Sequence, residues 1–177
     1  MVGRSNIARY FFLIVYRYLA QYLPCSGKSP LSKRIRLFCC KRIFKYCGYN
    51  VNVERKAFFG KGFDVVIGDN SGIGIECIVP SDIIIGDNVL MGPRVVMTGG
   101  GTTHEFSRTD IPIRLQGRKK NPSIIIGDDV WIGRQSIINQ GRVIYKGTII
   151  AAGSVVTRDF PEYSIIGGNP AKLIRKR

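Results

Sequence analysis

The chain has 177 residues, enough for one domain whose core needs no staple, and its 21 glycines, 8 prolines and 45% hydrophobic residues argue against both disorder and a helical bundle. Five cysteines, four of them before residue 48 and none in a CxxC pair, argue against a disulfide framework or a zinc site and for free thiols in a reducing cytoplasm. The net charge of +15 is uneven: residues 1–48 hold ten Lys or Arg and no carboxylate, whereas residues 49–177 hold seventeen against twelve.

In chain order, residues 1–48 are predicted to be a basic amphipathic helical appendage. One helix is expected over 7–23, rich in Tyr, Phe and Leu, and a second over 31–47, where Leu37, Cys40, Ile43, Phe44 and Cys47 recur at helical spacing between Ser29-Pro30 and Gly48. The apolar run Tyr10 to Tyr16 is closed by Arg17, is too short to span a bilayer and lacks a small-residue cleavage site. A cytoplasmic location is therefore expected. Two uses of the appendage stay open: peripheral contact with the inner face of a membrane, or packing against the rest of the chain or a neighbouring subunit. No recognisable motif supports a nucleic-acid partner.

Residues 49–177 carry a repeat. An apolar residue returns every six positions at Ile67, Ile73, Val79, Ile85, Met91 and Met97, and again at Ile126, Ile132, Ile138, Ile144, Ile150 and Val156. A period of six fits neither a 3.6-residue helix nor a two-residue strand alternation. It fits short strands joined by tight corners, with the large aliphatic inward and Gly or Asn at the corners, so the predicted fold class is mainly β, a parallel β-helix of about two coils before the interruption and two after it.

The interruption, around 99–122, begins Gly99-Gly100-Gly101-Thr102-Thr103-His104-Glu105-Phe106 and holds the only histidine of the chain. A long insertion in a strict solenoid is more often functional than accidental. His104 is then the one candidate base near neutral pH. Glu105 and Asp110 either orient it, bind acceptor hydroxyls, or are plain loop carboxylates. Near the C-terminus, Arg158, Lys172, Arg175, Lys176 and Arg177 form a cationic set suited to phosphates, or else a solvated basic tail.

The segments IIIGDNVLMGP, the loop with His104, the closing TDIPI, then IIIGDDVWIG and GTIIAAGSVVTRDFPEYSIIGGNPAKLIRKR resemble the sugar O-acetyltransferases of the hexapeptide-repeat acyltransferase family, of the galactoside, maltose, polysaccharide or O-antigen type. The resemblance covers roughly residues 48–177. It implies a left-handed parallel β-helix, a homotrimer with sites between subunits, and acetyl-CoA as co-substrate with no metal. It implies His104 as catalytic base, and Arg134, Ala152, Thr157, Arg158, Lys172 and Arg175 as cofactor contacts. Trp131 matches an aromatic beside the cofactor, or is simply an indole on the coil wall. Arg94 falls on an acceptor-side position where the family commonly has Asn, and Lys172 where relatives commonly have Arg.

The activity so implied is transfer of acetyl to a sugar hydroxyl, in a bacterial surface polysaccharide or its precursor. The alternatives are an antibiotic O-acetyltransferase of the same fold and a non-catalytic scaffold solenoid. A carbonic anhydrase of this fold needs three histidine ligands, which a single histidine cannot supply.

Overall fold

The computed structural model describes residues 6–177. Helices α1 (Asn6–Tyr18) and α2 (Pro30–Ile43), separated by a single 3-10 turn at Ala20–Tyr22, pack on each other and on the first coil of a solenoid. The Ser29 side chain accepts the Ser32 N–H at 3.3 Å, and Pro30 has no N–H to leave unpaired, so α2 starts where the sequence directs. It stops at Ile43 rather than Cys47. Phe44 turns extended, and the next residues enter the solenoid, with the Tyr46 and Gly48 N–H groups donating to the Val65 and Ile67 carbonyls. Ladder bonds to the second coil satisfy backbone that a longer helix would have satisfied internally.

Three rungs make each coil. The first holds β1 (Tyr46–Cys47), β2 (Asn52–Val53) and Phe58; the second β3 (Val66–Ile67), β4 (Gly72–Ile73) and Ile78; the third β5 (Ile84–Ile85), β6 (Leu90–Met91) and β7 (Val96–Met97). The chain then leaves through an antiparallel hairpin, β8 (Thr102–His104) and β9 (Arg118–Lys120). It returns as β10 (Ile125–Ile126), β11 (Trp131–Ile132) and β12 (Ile137–Ile138), followed by β13 (Val143–Ile144), β14 (Ile149–Ile150) and β15 (Val155–Val156). Phe160 and β16 (Ser164–Gly168) complete about six turns, and β17 (Ala171–Lys176) folds back antiparallel on β16.

Coils pair in parallel along three walls, for example Leu90 with Trp131 and Trp131 with Ile149. Every inward position of the repeat except Met91 is 3% exposed or less, and each such aliphatic contributes about 1.5–3 kcal/mol of burial. The solenoid has more turns than the strict repeat predicts because a coil precedes Ile67 out of the six-residue frame and a last turn, Phe160 and β16, follows Val156. Tyr46 pairs with Val66, twenty residues on, whereas Val66 pairs with Ile84, eighteen on. The excess is taken up near Gly60 and Gly62, both at positive φ, where the six-residue frame slips.

Corner chemistry also divides differently from the expectation. Left-handed φ is taken by Asn70, Asn88 and Asp129 on one edge and by Glu76, Arg94 and Gln135 on another. The glycines after the inward aliphatics are needed for space instead: a Cβ at Gly86 would lie 2.3 Å from Asp128 Oδ1. The aspartates that follow them form a ladder between coils, Tyr49 N–H to Asp69, Asp69 N–H to Asp87 and Asp87 N–H to Asp128, at 2.6–2.9 Å.

Candidate active site

His104 ends β8 and stands directly across from Arg118 in β9. Gly99, Gly100 and Gly101, all at positive φ, let the chain leave the wall after β7. The Asn121 N–H donates to the Gly101 carbonyl at 2.9 Å and the Glu105 N–H to the Gly117 carbonyl at 3.1 Å, which makes the excursion an ordered ribbon. His104 is exposed, and its Nε2 lies 3.5 Å from Arg118 Nη2. Neither loop carboxylate is bonded to it. Glu105 takes the Lys119 ammonium at 3.3 Å, while Asp110 is paired with Arg108, whose hydrogen bond holds the Asp110 carboxyl below its ordinary range.

A second feature lies on the wall that contains β11 and β14. Gly92, Pro93, Trp131, Gly133, Arg134 and residues 149–152 line a cleft of about 550 Å³. Trp131 points outward, 55% exposed, with its backbone between those of Leu90 and Ile149. Trp131, Arg134 and Ala152 are thus brought together. Lys172 and Arg175 lie on β17, at the edge of the same sheet in the order β17, β16, β14, β11. Three ladder spacings put that edge about 14 Å from Trp131. A smaller cleft of about 320 Å³ shares Pro93 and Arg134 with the first and adds Ile75, Glu76, Arg94 and Gln135. There Arg94 Nε donates to Glu76 Oε2 at 2.9 Å.

Thr157 and Arg158 fall elsewhere. They follow β15, at the corner that β7 and β12 also reach, where the Gln140 N–H donates to Thr98 Oγ1 and Arg142 reaches the Thr157 carbonyl. Arg158 lies over the Phe160 ring at 5.1 Å. Within one chain, the hairpin with His104 and the residues Thr157 and Arg158 occupy one edge of the prism. The cleft of Trp131, Arg134 and Ala152 occupies the next.

Sequence reasoning passed over Glu76, Pro93, Arg118 and Ile149. Glu76 was readable, because it precedes Arg94 by the eighteen residues of one coil. Pro93 and Ile149 had the weaker signal of flanking repeat positions. Arg118 had none, since only the register of the hairpin sets it against His104. Among the described residues no group of three or more His, Cys, Asp or Glu side chains is placed to hold a metal. The cleft suits coenzyme A on its own chemistry: a long apolar wall beside an indole for the acyl-bearing arm, and cations at the sheet edge for its phosphates.

A three-walled coil with six-residue rungs, broken by one hairpin that bears a histidine and flanked by an apolar cleft, defines a hexapeptide-repeat acyltransferase of left-handed β-helical fold. Comparison with known proteins agrees. Residues 123–158 match the family described as the hexapeptide repeat of succinyl-transferase. The chain is 35% identical over 155 residues to the galactoside O-acetyltransferase of Escherichia coli K12, covering 85% of this chain and 72% of that one. The structure of a maltose O-acetyltransferase from Clostridium difficile 630 superposes with a TM-score of 0.75 at 28% identity, over 96% of this chain and 86% of the other. A hexapeptide-repeat acetyltransferase from Vibrio cholerae O1 biovar eltor, solved with acetyl-coenzyme A, gives 0.77 at 26% identity, over 99% and 90%. The chain belongs to the hexapeptide-repeat acyltransferase family and is an acetyl-CoA-dependent acetyltransferase of the galactoside/maltose O-acetyltransferase type.

Proposed function

We propose that this enzyme acetylates a hydroxyl of a sugar, in a bacterial surface polysaccharide or its precursor, with His104 as general base and with each site shared between subunits of a homotrimer. The observation that carries this reading is the separation of the two halves: the sole histidine stands on one edge of the prism and the cleft of Trp131, Arg134 and Ala152 on the next. A three-fold assembly sets the His104 ribbon of one copy against the cleft of its neighbour. The outer wall faces support contact between copies, for Phe58, Ile78, Ile84, Ile125 and Ile137 are 37–48% exposed.

In this reading His104 accepts the proton of the acceptor hydroxyl as the oxygen attacks the thioester carbonyl, then returns it to the departing sulfur. The products are the O-acetyl ester and the free thiol, and no covalent enzyme intermediate is needed. The N–H groups of the Gly99–Gly101 turn are the candidate donors to the tetrahedral oxyanion. Trp131 and Ala152 border the acyl-bearing arm, while Arg134, Arg158, Lys172 and Arg175 meet phosphates and Thr157 the remaining polar edge. Arg94 faces the acceptor, and Glu105 and Asp110 keep the ribbon in shape through their own cations. Galactoside and maltose acetyltransferases are among the relatives with which the chain aligns over most of its length, which favours a sugar as acceptor.

Thiol release from acetyl-CoA, measured with galactosides, maltose, polysaccharide fragments and hydroxylated antibiotics, tests the proposal. His104→Ala is expected to lower the rate by about 100-fold to 10,000-fold. Equal rates for the two proteins would remove the base, and turnover confined to the antibiotics would replace the sugar. A monomeric mass in solution would remove the shared site.

A further inference from the structure

The N-terminal helices carry surface that the solenoid does not use. α1 turns Leu13 and Tyr16 inward, and the Tyr16 hydroxyl donates to the Ala57 carbonyl at 2.9 Å. Its opposite side is just as apolar. Ile7, Phe11, Ile14 and Tyr18 recur at spacings of four, three and four, so they form one stripe, and they are 56–83% exposed. A helix resting on a soluble core presents charge on that side instead. Leu19 and Tyr22, 59% and 61% exposed, prolong the apolar surface past the helix end.

The stripe continues onto α2. The Phe11 ring meets Phe12 at 5.3 Å, Phe12 meets Phe38 at 5.7 Å, and the Arg42 guanidinium lies over Phe38 at 3.4 Å. Next to this aromatic strip, on the adjoining face of α2, Lys33, Arg34 and Lys41 with Leu37 and Tyr49 line a shallow groove of about 400 Å³. No carboxylate precedes Glu54, and Glu54 is engaged with Arg36 and the Ser26 N–H. The face therefore combines exposed aromatic and aliphatic side chains with cations that have no anion within their own segment.

We propose that this face docks the enzyme on an anionic lipid bilayer, with α1 lying in the plane of the interface, its stripe among the acyl chains and the cations of α2 at the headgroup phosphates. No described helix is long and apolar enough to cross a membrane, so the contact is peripheral. A second copy meeting the same face about a two-fold axis would oppose Lys33, Arg34, Lys41 and Arg42 to the same cations, from a segment whose sequence holds no carboxylate. A bilayer rich in phosphatidylglycerol complements both properties at once. The inference is independent of which hydroxyl the enzyme acetylates.

Sedimentation with vesicles tests it. Wild-type protein is expected to sediment with vesicles of equal parts phosphatidylglycerol and phosphatidylcholine, to stay in solution with phosphatidylcholine alone, and to be released by salt. Replacing Lys33, Arg34 and Lys41 by Gln is expected to weaken binding about a hundredfold, at roughly fivefold per cation. A variant with Ile7, Phe11 and Ile14 all changed to Ser is expected to lose binding at every salt concentration. Thiol release with a soluble acceptor reports that both variants are folded. As a measurement on unaltered protein, amide exchange over residues 6–22 is expected to slow in the presence of the anionic vesicles. Absence of sedimentation, unchanged exchange, or binding by either variant equal to that of wild type overturns the proposal. So does a fall in solution mass of the Ser variant without vesicle binding by wild type, which would assign the face to another subunit.

Discussion

Arg94 and Glu76 occupy the same corner of successive coils, at φ of 59° and 57°, with Arg94 Nε hydrogen-bonded to Glu76 Oε2 at 2.9 Å. That hydrogen bond, and then the guanidinium charge, hold the Glu76 carboxyl below its ordinary value of 4.5. A carboxyl with a lowered pKa keeps its partner at all pH above the ordinary value and loses it only as pH falls through the lowered one, so the pair is intact at neutrality. Arg94→Asn is expected to return the Glu76 titration, followed by carbon-13 carboxyl shifts, toward 4.5. Because the pair is exposed, the melting temperature is expected to stay put, while KM for the acceptor changes and KM for acetyl-CoA does not. Unchanged acceptor KM would place the pair outside the acceptor site.

Arg118 stands opposite His104, with Nη2 3.5 Å from Nε2. On the proposal that His104 is the base, Arg118 is the side chain placed to orient its imidazole. Arg118→Ala is expected to lower kcat between about tenfold and a hundredfold, in keeping with the cost of a small misplacement of a reacting group, with KM for acetyl-CoA unchanged. Arg118→Lys is expected to restore little of it, since an ammonium lacks the plane. Equal loss in kcat and in cofactor affinity would show that the whole ribbon had moved instead.

Arg36 is wholly buried between α2 and the first coil, donating to the Val53, Pro24 and Leu23 carbonyls and to Ser26, and its Nη2 lies 3.5 Å from Glu54. Burial pushes the Glu54 carboxyl up, but hydrogen bonds from Ser26, Asn52 and the Arg55 N–H outweigh it and leave the group below its ordinary value. Glu54→Ala strands a buried guanidinium and is expected to cost about 3 kcal/mol, or roughly 6–12 °C in melting temperature. With a lowered pKa in the folded state, the stabilisation is present above pH 4.5 and is lost in acid, so the gap between wild type and variant is expected to narrow as pH falls through the lowered value. A gap that persists in acid would assign the effect to packing.

How far this architecture can be read in advance depends on which atoms fix each part. The inward column from Ile67 to Val156 is legible because a solenoid repeats one local decision, and the same side chain recurs wherever the coil presents the same slot. The first coil is not, since the two residues added near Gly60 break the six-residue frame between Phe59, its inward residue on the third wall, and Ile67. Trp131, Arg134 and Ala152 could be gathered from spacing, because residues one coil apart are neighbours. The separation of His104 from that cleft could not, for it depends on the register of a hairpin whose strands, Thr102–His104 and Arg118–Lys120, carry no periodic signal.

Gly133 tests whether the coil spacing itself shapes the cleft. Its φ is ordinary, but a Cβ there would lie 2.5 Å from the Ala152 N and 2.7 Å from the Ile150 carbonyl oxygen, backbone atoms of the next coil that cannot rotate away. Gly133→Ala must push two coils apart, at about 1–3 kcal/mol for overpacking, or roughly 2–12 °C in melting temperature. Since Gly133 and Ala152 both line the cleft, the same displacement is expected to raise KM for acetyl-CoA. Gly153, at the same corner one coil further on, separates strain from spacing: its φ is +70° and a Cβ there would meet nothing within 4 Å. Gly153→Ala is expected to cost about 1–2 kcal/mol of backbone strain and to leave KM for acetyl-CoA unchanged. Equal rises in KM for the two variants would mean that general loosening, and not the gap between the fourth and fifth coils, sets cofactor affinity.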